Sequence, residues 1–375
     1  MAGSLTSSLV SIASSLYFIL AGLLGFGIFT AVHEFGHFLF AKVADVYTPS
    51  FSIGFGPTLL QKKIGDTNFK LSAIPFGGYV EIAGMAEVGQ GEQKEALNTD
   101  ARSFTSKPYY LKLLILLGGI MFNLLFAYLA FIFLVFLGIP QSAFLQGING
   151  TTITEKIEPN SPAQRAGLIP SDRIIKLGDT LVENDFMKLF IALQDNAGKD
   201  LPITFMRDCK EQTATMIFDK DAQSPFHKRM GVQFKQKTIP EGNFIDKIMH
   251  GITLTNKIIV QTVQGFISIF KRRSTEGLGG PLQILTMMSQ SAKEGFKMWL
   301  LLLIIISVNL AILNLLPLPI LDGGQVLFCT IEALIGRPLP MNLRMGIHYA
   351  SWIMILLLIL WLTFKDIKML AHISK

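Results

Sequence analysis

The sequence predicts a polytopic α-helical membrane protein with four transmembrane helices, a membrane-associated β segment and an α+β domain between the second and third spans. Three observations carry this. Of the 375 residues, 50% are hydrophobic and only 16% charged, with a mean hydropathy of +0.46, a balance that excludes an ordinary soluble globule. Four apolar stretches recur, each long enough for a bilayer core of about 30 Å. Residues 138–237, between the second and third of them, are soluble in character and alternate in the way of strands, as in 151–157 and 201–205. Cys209 lies in that polar region and Cys329 in an apolar one, so no disulfide framework is expected. The formal charge of +6 is spread over the loops with no sustained basic run, which suits a membrane surface and argues against nucleic acid as a partner.

Residues 1–43 hold the first span. Residues 1–11 carry no charged side chain, so the basic start of a secretory signal peptide is not expected. From Ile12 to Val43 the chain is apolar, and Gly22, Gly25 and Gly27 admit a neighbouring helix. Lys42 at its end places that end in the cytoplasm and the N-terminus outside. Inside the span stands Thr30–Phe40, TAVHEFGHFLF. A lone histidine on an apolar face is more often a hydrogen-bonded core residue than a ligand. Here His33, Glu34 and His37 spell H-E-x-x-H, and positions i and i+4 share a helix face, so both imidazoles meet one ion. Zinc suits neutral imidazole and tolerates a tetrahedral site with one open position. Glu34 is then placed as general base for a water acidified there. Two histidines leave the site short of a ligand.

Residues 44–108 read as a cytoplasmic-side β hairpin or small sheet followed by a loop. Thr58–Lys62 and Asn68–Ile74 flank Gly65-Asp66, and Gly77-Gly78 comes after them. Apolar faces between two spans suggest that the hairpin dips into the membrane surface; a small soluble hairpin fits equally well. Glu81–Pro108 is expected to be polar and mobile. Residues 109–137 form the second span, with Asn123 its one polar residue. That side chain can bond a neighbouring helix or the backbone of a bound peptide, and the residue alone favours the first. Residues 138–240 are the α+β domain. In 241–295, apolar residues from Ile245 to Phe270 recur at helical spacing, followed by Lys271-Arg272-Arg273, then by the breaker Gly277–Pro281. An amphipathic helix is expected, lying on the membrane or bracing the soluble domain.

Residues 296–324 hold the third span and end in Asn314-Leu-Leu-Pro317-Leu-Pro319-Ile-Leu-Asp322-Gly-Gly. Two prolines two apart break a helix, and irregular backbone at membrane depth occurs only where it is buried in protein or lines a cavity. Asp-Gly-Gly alone is more often a plain turn. Beside an incomplete pair of histidines in the same membrane, Asp322 is the best third ligand on offer, with Gly323-Gly324 free to turn it inward. Residues 325–375 contain a connecting segment, a fourth span over about 346–364 and a tail.

The chain carries two resemblances. Pro159-Asn-Ser-Pro-Ala-Gln-Arg-Ala-Gly-Leu168, leading into Asp172-Arg-Ile174, resembles the PDZ domain of bacterial membrane-associated proteases, which implies capture of a chain end or extended segment at a sheet edge. With the metal motif, Gly77-Gly78-Tyr79, the G-x-x-x-N element Gly119–Asn123, N-x-x-P-x-P and L-D-G-G, nearly the whole chain resembles the bacterial site-2 protease family of intramembrane zinc metalloproteases. The resemblance implies His33, His37 and Asp322 as zinc ligands and Glu34 as acid/base. It also implies Asn314 as a residue that holds substrate, and Asn123 occupies the matching place in the second span. Family members cut single-span membrane proteins such as anti-sigma factors, or signal-peptide remnants, after an upstream site-1 protease has trimmed the outer part. Well-known relatives carry two PDZ domains; residues 138–240 leave room for one.

The expectation is regulated intramembrane proteolysis in the lipid bilayer of a bacterial inner membrane. Counting from an outer N-terminus places 43–108 and 321–343 inside and the PDZ-like region outside. Residues 271–273, Lys365 and Lys368 then fall outside against the charge rule, which the long loop holding 271–273 escapes. A substrate helix must open before attack, and the 58–74 strands offer an edge to hold it extended. A zinc-stabilised scaffold that binds chain ends through the PDZ domain is the alternative from another class. A zinc transporter would need a track of ligands that His348 and His372 do not make.

Overall fold

The computed structural model describes residues 2–85, 95, 98–140, 142, 145, 150–183, 185–196, 200–218, 230–236, 243–272 and 279–373. Two compact units emerge: residues 1–134 with 259–375, and residues 135–258. Within the first, α1 (Ala2–Val43) carries the metal motif. It is followed by β1 (Ser50–Ile64) and β2 (Thr67–Glu81). These strands are longer than the sequence suggests and turn at Gly65-Asp66, with Ile64 opposite Thr67. They also fold back on themselves, so that Ser50–Ile53 pairs with both 68–71 and 78–81. Phe38 of α1 meets Phe51 and Phe69 edge-on at 5.6 and 5.5 Å, which seats the sheet on the end of α1 that holds the motif.

Gly77-Gly78 lies inside β2 rather than after it. The expected mobile loop is fixed where it is described. Tyr47 N–H donates to Arg102 O, Phe104 N–H donates to Ala83 O, and the Arg102 guanidinium bridges Asp45 and Asp66 at 3.1 Å each. Residues 86–94, 96 and 97 of that loop lie outside the described residues. Next, α2 (Tyr109–Leu137) crosses α1 where both backbones are bare, because a Cβ on Gly36 would overlap the Gly118 carbonyl and one on Gly118 would overlap Gly36.

The second unit contains β3 (Gly150–Ile157), α3 (Pro162–Arg165), β4 (Arg173–Leu177), β5 (Thr180–Leu181), α4 (Phe186–Asp195), β6 (Leu201–Arg207), β7 (Lys210–Met216) and β8 (Val232–Gln236). The strands run in the order β7-β6-β4-β3-β8, with β5 beside β4, and every pair is antiparallel. Ser161 caps α3 by accepting from Gln164 N–H, with Pro162 at the first helical position. Asp208 and Cys209 take φ of 50° and 60° in the two-residue β6–β7 turn, the backbone that such hairpins demand. Ile174, Leu177, Leu189, Ile203 and Phe234 fill the core between sheet and α4.

The expected amphipathic helix is α5 (Phe244–Arg272). Asn243 accepts from Ile245 and Asp246 N–H, and Asp246 accepts in return from Asn243 N–H, closing the first turn. Of the breaker, Gly277 and Leu278 lie outside the described residues. Beyond it the chain forms a helix the sequence did not announce, α6 (Pro281–Glu294). Its N-terminus has no cap of its own. Asp366 supplies one, accepting from Gly280 N–H at 3.1 Å and Gln283 N–H at 3.0 Å. Then come α7 (Phe296–Asn314), α8 (Asp322–Ile335) and α9 (Met341–Ile373). Asp322 therefore opens a helix. Gly323 and Gly324 are helical and bare because their Cβ atoms would strike the backbone of Leu315 and Leu318, so they serve close packing rather than a free turn.

Among the described residues four helices are long and apolar enough to cross a membrane: 16–43, 109–137, 296–314 and 342–368. At 1.5 Å per residue the first two reach roughly 42 Å, longer than a hydrocarbon core of about 30 Å, whereas the third reaches roughly 28 Å.

Candidate metal centre

Two helices of the first unit deliver the three ligands. His33 and His37 lie one turn apart on α1, both 8% exposed. Asp322 opens α8, and its Oδ2 stands 3.3 Å from His33 Nε2 and 3.5 Å from His37 Nε2. The two Nε2 atoms are 3.2 Å apart. Ligands on a tetrahedral zinc with bonds of about 2.0–2.1 Å sit roughly 3.3 Å from one another, and the triangle here has that size on every side. Among the described residues Asp322 Oδ2 has no hydrogen-bond donor although it is buried, and this is the one group of three His, Cys, Asp or Glu side chains that could share an ion. The residues fit zinc.

The surroundings aim the ligands. His37 Nδ1 lies 2.8 Å from Ile115 O on α2, so Nδ1 carries the proton and Nε2 is left free for metal. Asn123 Nδ2 lies 3.1 Å from His33 Nδ1. One turn before Asn123, Gly119 faces both rings, and a Cβ there would overlap His37 Nε2 and His33 Nδ1. Asn314, the last residue of α7, brings its amide to 3.4 Å from His33 Nε2.

Glu34 is buried beside the histidines and accepts from the Val80 backbone N–H. Gly78 lies against its side chain, where a Cβ would come within 3.4 Å of Glu34 Cγ. The part of the sheet that touches Glu34 is therefore 78–80, beyond the 58–74 strands whose edge the sequence offers to a substrate. Every site residue expected from the sequence thus converges: His33, Glu34, His37, Asn123, Asn314 and Asp322. The Ile115 carbonyl, Val80 and Ser307, whose hydroxyl donates to Asn123 O at 2.9 Å, carried no signal. Gly119 did carry one, four residues before Asn123 and on its face.

Residues 21–358 match peptidase family M50. The chain belongs to that family. A Brucella suis protein provisionally named a zinc metalloprotease is 31% identical over 333 residues, 82% of this chain and 83% of that one. A Clostridium perfringens protein with the same provisional name is 28% identical over 353 residues, 93% of this chain and 98% of that one. The zinc metalloprotease RasP of Oceanobacillus iheyensis is 24% identical over 429 residues, 94% of this chain and 99% of that one. M50 is the site-2 protease family and is zinc-dependent, so the chain is a multi-pass membrane metalloprotease whose cofactor is zinc.

Proposed function

We propose that this M50 protein hydrolyses peptide bonds within or near the transmembrane segments of single-span membrane proteins, from a centre of His33, His37 and Asp322 with Glu34 as its acid/base. The carrying observation is a complete ligand triangle beside a buried carboxylate, inside an apolar helix. His37 and His33 lie six and ten residues before Val43, which places the chemistry roughly 9–15 Å inside that end of the span. Ionisable groups at such depth cost about 2.5–3.5 kcal/mol each to insert at mid-span, an expense that function explains and packing does not.

A zinc ion held by His33, His37 and Asp322 would supply a Lewis acid that polarises the scissile carbonyl and acidifies a water molecule. Glu34 takes the proton of that water and returns it to the leaving amine. Val80 N–H holds the Glu34 carboxylate, and Gly78, where a Cβ would strike the Ser52 carbonyl, lets β2 pack closely on β1 beside it. A substrate helix hides its carbonyls in its own hydrogen bonds, so opening it against β2 is part of catalysis. Asn314, reaching the same face of His33, holds a freed backbone group of the substrate.

The second unit acts as a single PDZ domain on the extracytoplasmic side of the bacterial inner membrane. It receives the ends left when a site-1 protease trims a substrate such as an anti-sigma factor or a signal-peptide remnant. Incubating the purified protein with a single-span substrate, with and without a zinc chelator, tests the proposal: chelation abolishes cleavage, and Glu34→Gln keeps zinc while losing about 10²–10⁴-fold in rate. Full turnover by that variant would remove Glu34 from the mechanism. A zinc-bearing parent that cuts no membrane substrate would leave a scaffold.

A further inference from the structure

We infer that Asn123 is a positioning residue of the metal centre: its amide oxygen accepts from His33 Nδ1–H and so fixes the tautomer that turns Nε2 to the ion. This rests on the reading of His33, His37 and Asp322 as ligands, and it gives Asn123 a task other than the substrate contact its place in the motif implies.

Asn123 is completely buried, and its amide nitrogen stands 3.1 Å from His33 Nδ1. An N–H aimed at Nδ1 would oblige the ring to carry its own proton on Nε2. That proton would point at His37 Nε2 and Asp322 Oδ2, 3.2 and 3.3 Å away, where an ion has to sit. The two ends of an amide are alike in shape, and the bonding network decides which is which. Among the described residues Asn123 Oδ1 has no partner, so no bond to that oxygen resists the exchange. With oxygen at Nδ1 the His33 proton is accepted, Nε2 is freed, and the ring becomes the better donor.

Two helices prepare the contact. Gly119 leaves α2 bare where the imidazoles pass, and Ser307 of α7 donates to the Asn123 carbonyl at 2.9 Å, pinning the residue from the other side. His37 obtains its acceptor from the Ile115 carbonyl. The two ligand histidines are therefore oriented from one helix, one by backbone and one by a side chain.

The test uses the full-length protein in detergent, read by zinc affinity against a competing chelator and by the d–d absorption of the cobalt-substituted form. Asn123→Leu weakens metal binding about 10–100-fold. Asn123→Asp, which still accepts from Nδ1–H, binds at least as tightly as the parent and moves the cobalt bands to higher energy, because a carboxylate makes the imidazole a stronger donor. Parental affinity in Asn123→Leu overturns the inference and leaves the metal centre standing. A parent that binds no metal overturns both. Should Asn123→Leu not fold, Asn123→Asp decides alone: weaker binding or unmoved bands overturn the assignment.

Discussion

The two units each hold an aspartate at a helix or strand start, and the pair differ in how they are satisfied. Asp172, in the soluble unit, is 1% exposed and fully engaged. Its Oδ1 accepts from Arg207 Nε at 2.8 Å, and its Oδ2 accepts from Arg207 Nη2 at 2.7 Å and from Ile169 N–H at 2.8 Å. That fork holds the β4 start to β6 and keeps the Arg207 guanidinium even more firmly protonated, through its hydrogen bond to Asp172. Asp322 has two imidazole nitrogens in front of one oxygen and, among the described residues, no donor for it. A carboxylate met by donors on both oxygens is a fastener. One buried with acceptors for company is set for a cation.

Removing the two carboxylates should therefore break different things. Asp322→Ala is expected to release zinc and to lower cleavage of a single-span substrate by at least about 10²–10³-fold, with the protein still folded; metal analysis and a cleavage assay on one preparation decide it. Zinc retained at parental affinity would place the third ligand elsewhere. Gly119→Ala comes next, because its methyl group enters the space of both imidazoles. Overpacking of this kind costs about 1–3 kcal/mol, expected as zinc binding weaker by roughly 5- to 150-fold at unchanged expression. Asp172→Asn sharpens the contrast from the other side. It lowers the unfolding temperature of residues 135–258 by several degrees and leaves zinc content at the parental value.

The same contrast explains what the sequence made legible. His33, Glu34 and His37 could be found because their spacing on one helix is itself the signal, and Asp322 because two prolines mark irregular backbone at membrane depth. The spans were legible as apolar runs, and the strand alternation and S-P-A turn announced the soluble sheet. What escaped depends on residues distant in sequence. Helix α6 reads as a mixed segment, since the carboxylate that caps it, Asp366, belongs to α9. The 98–108 stretch reads as a loose polar loop because its restraints come from Asp45, Asp66, Tyr47 and Ala83. The partner of Asn123 emerges only from the bare crossing at Gly36 and Gly118, a close approach that pattern alone does not locate.

The smallest expected effect lies one step behind Asp322, where the membrane unit does contain a fully engaged polar group. Gln325, one turn along α8, donates through Nε2 to Pro319 O at 2.9 Å and lies 3.1 Å from His348 Nε2. Its Oε1 accepts from Arg344 at 3.2 Å. This cluster ties α9 to the bend that precedes Asp322, so it resembles the Asp172 fork in kind while serving the metal side. Gln325→Leu leaves the Pro319 carbonyl without a donor, at a cost of about 1–3 kcal/mol, most of it expected as lower thermal stability. Because the ligand triangle itself is untouched, zinc affinity should fall only a few-fold, and the cleavage rate with it. A loss as large as that of Asp322→Ala would mean that the bend, not the carboxylate it delivers, is what the centre depends on, and the distinction between fastener and ligand would fail at this position.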